Sequence, residues 1–232
     1  CALPISQERM RTYMLDTLTD NDEDILMASL QGLSAIGAEE CSGPIIDMTA
    51  ALDKDRQDEL YEAAIKAIAA IGYNDAVRSA LTSQEEARIM LAMEACHLMA
   101  DRRCVPDLKQ IFWNVSHELQ RMAAAELAML GDCEDSSFFV TIMNYSEDAE
   151  VIKSALVFFG NHPTCPDVED LVFAQIDHKY VDVKEMALEA CINLHSPKLN
   201  ELFKERACIY IEHEGMIYAL RSTRAGKLIL TK

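Results

Sequence analysis

Residues Asp22–Leu52 read DEDILMASLQGLSAIGAEECSGPIIDMTAAL, and the punctuation of this stretch decides the fold. An acidic opening leads into Ile25, Leu26, Leu30, Leu33 and Ile36, which recur at helical intervals. Gly37 stands where a helix end needs a residue with easy access to positive φ. After a short turn, Pro44 suits the first turn of a second helix, where its missing N–H is not needed. Ile45, Ile46, Met48 and Leu52 then supply that helix with an apolar side. The same ending returns as IAAIG at Ile68–Gly72, HLMA at His97–Ala100, LAMLG at Leu127–Gly131, VFFG at Val157–Gly160 and INLH at Ile192–His195. Successive endings are 35, 28, 31, 29 and 35 residues apart. A helical unit of this length cannot bury its apolar face alone, so neighbouring units must stack. The expectation is an all-α stack of about six to seven helical pairs.

Second helices of the pairs are expected at 24–36, 58–71, 85–99, 117–130, 149–160 and 182–194. First helices are expected at 4–18, 44–52, 74–82, 105–114, 135–145, 166–176 and 197–211, with Pro106, Pro166 and Pro197 again opening three of them. Acidic or cap-forming turns separate the two, and Asp53, Asp55 and Asp58 offer caps for the helix starting near Glu59. One repeat domain over 1–232 follows, with repeats at 4–205. The tail 206–232 departs from the pattern, as a capping helix, or as a hairpin turning at Ala225–Gly226 with Lys227–Thr231 extended. It acts as a cap, or as a docking segment through Leu228, Ile229 and Leu230.

Composition narrows the function. Of 232 residues, 21 are basic and 39 acidic, a net charge of −18. An acidic body repels phosphate backbones and anionic lipid, which argues against nucleic acid and against a membrane face. A protein or peptide partner with basic character is the easier fit, while much of the charge simply keeps an apolar stack in solution. The balance inverts at the end, because nothing after Glu214 is acidic while Arg221, Arg224, Lys227 and Lys232 are basic. The eight cysteines are scattered without a CxxC, a spacing that suggests unpaired thiols, a reducing compartment and a cytoplasmic protein. No run of 18 apolar residues suggests membrane insertion. Processing at a lipoprotein-type Cys1 would instead make a lipid-anchored envelope protein. A trimmed boundary is the favoured reading of that start.

DEDILMASLQGLSAIGAEECSGPIIDMTAAL and its repeats resemble HEAT repeats, in particular the short HEAT-like, phycobilisome-lyase-like kind, over about residues 4–205. The resemblance implies a right-handed α-solenoid whose second helices line a concave face. The family's Val-Arg pair at the start of those helices is met only loosely, at Val183-Lys184 and Ala87-Arg88, so its inter-repeat ladder of Asp and Arg is expected to be incomplete. By helical phase, Gln31, Glu62, Lys66, Glu94, Arg121, Lys153 and Glu189 are the expected partner contacts. Met27, Met90, Met93 and Met122 could add an adaptable surface but serve mostly as core.

Signals for catalysis or a cofactor are few. Deoxyhypusine hydroxylases resemble this build and hold two irons with four His-Glu pairs. Here only His117-Glu118 and His213-Glu214 occur, and the first better serves a helix N-terminus. His162, Cys165, Cys191 and His195 have the spacing for tetrahedral zinc, but Cys191 falls on an apolar side and His195 in a helix-ending slot. Cys104 has Arg102 and Arg103 beside it, the best local case for an activated thiol, although a tight-turn role is the plainer one. Bilin lyases also resemble the repeat, without a specific mark of bilin here. No catalytic, metal or cofactor residue is therefore expected. The expected function is a non-enzymatic scaffold or adaptor that binds a basic protein or peptide through an acidic concave face. The rival is a lyase- or hydroxylase-type enzyme or subunit using a metal or tetrapyrrole.

Overall fold

The computed structural model describes residues 6–199, 208–213, 216–222 and 228–231. The chain divides into two compact units, Cys1–Leu130 and Gly131–Lys232.

The first unit contains α1 (Gln7–Thr17), α2 (Glu23–Ile36), α3 (Ser42–Ala50), α4 (Asp58–Ile71), α5 (Asp75–Leu81), α6 (Glu86–Met99), α7 (Val105–Ile111) and α8 (His117–Leu130). Each odd helix packs on the even helix that follows it, and the even helices α2, α4, α6 and α8 pack one on the next. Leu30, Leu33, Ile45, Ile68, Leu81, Leu91 and Met93 are fully buried between them. α6 has neighbours on several sides, and it accordingly buries Ile89, Leu91, Ala92, Met93, Ala95 and Cys96 rather than a single stripe.

Local chemistry sets the helix starts. Asp22 accepts from the N–H groups of Asp24 and Ile25, and Asn74 does the same for Ala76 and Val77. Asp53 and Asp55 do not cap α4. Its N-cap is Gln57, whose side chain turns back to accept from the Asp53 N–H at 3.4 Å, while Asp58 accepts only from Glu59. Helices end within two residues of the repeated phrase at all six places, and at four of them Gly37, Gly72, Ala100 and His195 have positive φ, at 65°, 97°, 49° and 54°. Gly160, next to last in α10, has a further role. It lies inside a helix, where an added Cβ would meet Ala190 Cα and Asn193 Nδ2 at 3.4 Å. That glycine permits close helix approach near the helix end.

In the second unit, α9 (Ser136–Tyr145), α10 (Ala149–Asn161), α11 (Glu169–Ala174) and α12 (Val181–Asn193) repeat the pairing, with α10 against α12. Its core is aromatic: Phe139 stacks on Phe158 at 3.9 Å, and Phe159 meets both edge-on. Pro166 does not open α11, which starts three residues later, after Asp167 at φ 58°.

The all-α expectation holds for 6–199 and fails in the tail. β1 (Ile209–His213), β2 (Met216–Ser222) and β3 (Leu228–Thr231) form an antiparallel sheet in the order β1-β2-β3, and β1 lies against α12. Ile211 pairs with Tyr218, and Leu220 with Leu230. Residues 197–199 are helical, but the first helix expected to run to 211 meets strand β1 at 209. Ile, Tyr and Leu runs without helical spacing favour the pleated surface. β3 agrees with the hairpin alternative, whereas its turn at Ala225–Gly226 lies outside the described residues, as do the side chains of Leu228, Ile229 and Leu230.

Cys133 and Cys165 form a disulfide with Cα atoms 5.4 Å apart, which corrects the expectation of unpaired thiols. The scattered spacing hid a pair that successive helical pairs bring together. It also removes the cysteine argument for a cytoplasmic location. Among the described residues, no helix is long and apolar enough to cross a membrane.

Candidate functional site

Three consecutive even helices of the first unit shape a groove of about 440 Å³. α4 contributes Glu62, Ile65 and Lys66, and α6 contributes Met93, Glu94, His97 and Leu98. α8 adds Met122 and Glu126. On each helix these positions lie within five residues of one another and include pairs three or four apart, so one face of each rod turns toward the same space. The floor is apolar, and the charges stand around it.

Most of those charges already have partners. Glu62 takes Lys66 at 2.9 Å one turn along α4. Glu94 takes Lys54 at 2.8 Å, and Lys54 Nζ also sits 4.7 Å from the Tyr61 ring centre. Burial, with Glu94 beside it, pushes the Tyr61 hydroxyl well above the ordinary phenol range. Glu126 differs from its neighbours. Its Oε1 pairs with His97 Nδ1 at 2.7 Å, but its buried Oε2 has no hydrogen-bond partner among the described residues. Burial raises the Glu126 carboxyl above the usual carboxylate range, and His97 only partly offsets this.

Of the seven expected contacts, Glu62, Lys66 and Glu94 line this groove together. Arg121 is exposed on α8 next to Met122, which does line it, and Gln31 is exposed on α2. In the second unit, Glu189 is exposed on α12. Lys153 is largely covered and binds Glu150 at 2.7 Å and Asp182 at 2.9 Å, which ties α10 to α12. Sequence reasoning missed Ile65, His97, Leu98 and Glu126. A signal for the last existed: Glu126 is the lone acid in the run MAAAELAML, four positions after Met122.

The other candidates fall in less productive places. His117 and Glu118 are exposed in the first turn of α8, while His213 is in β1 and Glu214 lies outside the described residues. The zinc set loses Cys165 to the disulfide, and His162 Nδ1 and His195 Nδ1 both sit against backbone carbonyls. The Cys104 thiol is held below its ordinary range, but by a hydrogen bond from buried Cys96 rather than by the neighbouring arginines. Arg103 is instead engaged with Asp101 at 2.6 Å, and Cys104 is fully buried.

A family model described as hemin uptake protein hemP matches residues 198–232. No curated protein matches the chain. Among solved structures, the crystal structure of an engineered protein is similar at 17% identity and a TM-score of 0.45, covering 80% of this chain and 96% of that one.

Proposed function

We propose that this chain is a HEAT-like α-solenoid acting as a non-enzymatic scaffold or adaptor, and that the groove on α4, α6 and α8 docks a protein or peptide of basic character. One observation carries the reading: three successive even helices turn apolar side chains and carboxylates to a common space. Such a surface suits an amphipathic segment laid across several rods, with apolar anchors below and basic residues on the rim. The net charge of −18 favours approach of a basic partner. The test is fluorescence anisotropy with a labelled amphipathic lysine-rich peptide and a glutamate-rich control of the same apolar pattern. Wild-type protein should bind only the first. The double variant Glu62→Lys/Glu94→Lys should weaken binding several-fold to about tenfold, because partly exposed charges are each worth roughly 0.2–1 kcal/mol. Equal binding of both peptides would remove the acidic-groove reading.

A second reading attaches to the tail and revives the tetrapyrrole alternative. The hemin uptake match falls on 198–232, the same segment where helices give way to the β1–β3 sheet and acidic residues cease after Glu214. These coincidences support a C-terminal module, part of the second unit, that is concerned with hemin. Titrating hemin into the full chain and into a chain ending at residue 196 tests it. A stoichiometric Soret change in the full chain alone supports the module, and identical spectra remove the tail as a hemin site.

A further inference from the structure

We infer that Tyr218 is the iron ligand of a hemin site on the C-terminal sheet, with His213 as the neighbour that takes up its phenol proton. This rests on the hemin reading of the tail and names the residues that carry it.

The register places the chemistry. Successive strand positions alternate between the two faces of a sheet, and positions paired across strands share a face. Tyr218 pairs with Ile211, and Ile209 pairs with Leu220, which in turn pairs with Leu230. His213 pairs with Met216, and all of these positions fall on one face. The other face has Glu212, Arg221 and Thr231 among its positions and is mixed in character. A porphyrin disc is apolar over most of its area, so the first face is the one that suits it. Its iron lies at the centre of the disc, and a ligand must therefore stand near the middle of the apolar positions. Tyr218 meets that condition: it lies in the central strand, with Met216 and Leu220 two positions to either side and Ile211 opposite. His213, the last residue of the outer strand β1, stands at the rim. Tyrosine is among the side chains that hold porphyrin iron, and it does so as the phenolate. His213 is diagonal to Tyr218, a spacing of roughly 7–8 Å that long side chains bridge. Its imidazole takes the phenol proton as the phenolate oxygen replaces a water on the iron. The carboxylates of hemin call for cations, and the segment supplies Arg221, Arg224, Lys227 and Lys232 after its last acid, Glu214.

The experiment titrates hemin into the full chain and into full-length Tyr218→Phe, Tyr218→His, His213→Ala and Tyr145→Phe. The last of these removes an exposed tyrosine of α9. Absorption gives stoichiometry and affinity, and resonance Raman identifies the ligand. Wild-type protein should bind stoichiometrically and show iron–phenolate modes that move when its tyrosines carry deuterated rings. Tyr218→Phe should lose those modes and weaken binding about tenfold or more, while Tyr145→Phe should match the wild type. Tyr218→His should keep stoichiometric binding and exchange the phenolate signature for an imidazole one. His213→Ala should retain the modes and weaken binding about tenfold, as removal of a ligand's hydrogen-bonding neighbour commonly does. Stoichiometric hemin without phenolate modes in the wild type overturns the assignment and leaves the hemin reading standing, a comparison that needs no variant. Modes that persist in Tyr218→Phe, or vanish in Tyr145→Phe, overturn it as well. Unchanged affinity in His213→Ala removes the role of that residue. Wild-type protein that takes up no stoichiometric hemin removes the hemin reading and the assignment together.

Discussion

Glu126 is a residue that weakens the fold it belongs to. Its carboxyl is raised by burial, so folding favours the protonated form. The sign follows directly: stability from this group is greatest at low pH and is lost as pH rises from the ordinary value of 4.5 through the raised one. Glutamine keeps an acceptor for His97 and carries no charge. Glu126→Gln should therefore raise the melting temperature at pH 7 by about 2–4 °C, the equivalent of roughly 1 kcal/mol in a chain of this size. The gain should vanish near pH 4, which thermal melts across pH will show. Gly37 makes the opposite case. At φ 65° a Cβ is strained, so Gly37→Ala should cost about 1 kcal/mol by urea denaturation and Gly37→Asn less. The glycine's role was legible from its phrase. The strain on Glu126 was not, because burial of a carboxylate depends on which rods surround it.

At the scale of elements, the α9–α10 core and the links between successive pairs carry the second unit. Phe158 is fully buried between Phe139, Phe159 and the His162 ring. Phe158→Ala should cost about 3–5 kcal/mol, because the stacked neighbours cannot close the cavity. The Cys133–Cys165 bond closes a loop with a sequence separation of 32. Chain-entropy arguments give such a loop roughly 3–4 kcal/mol. Dithiothreitol should accordingly lower the melting temperature of wild-type protein and leave Cys133→Ser unchanged. Alkylation of unreduced, denatured wild-type protein should spare two thiols that are modified after reduction. Helix positions were readable from periodicity to within a few residues, for instance 117–130 for α8, because each rod's apolar spacing is local. The disulfide and the close approach at Gly160 were invisible for one reason: both depend on contacts between successive pairs.

At the scale of the whole molecule, charge dominates. An acidic chain of net −18 with a basic C-terminal segment should bind lysine-rich peptides with strong salt dependence. Screening lengths fall from about 10 Å at 0.1 M salt to about 3 Å at 1 M. Raising salt from 0.05 to 0.5 M should therefore weaken peptide binding by at least tenfold if rim charges dominate. A salt-resistant remainder would report the apolar floor at Ile65 and Met93. Anisotropy at four salt concentrations measures both components. The tail adds a separate test through hemin, whose expected Soret change should be insensitive to Glu126→Gln.

Sequence alone determined the rods: a repeated ending, apolar steps of three and four, and capping residues are short-range features that act before any tertiary contact exists. It also set the sign of the charge and the break in pattern near the tail. Tertiary packing decided the rest. Which carboxylate loses its water, which cysteines meet and where a glycine serves contact instead of a turn all depend on residues about 30 positions apart. Those juxtapositions arise only when one helical pair settles against the next, and desolvation and close approach come into being with them.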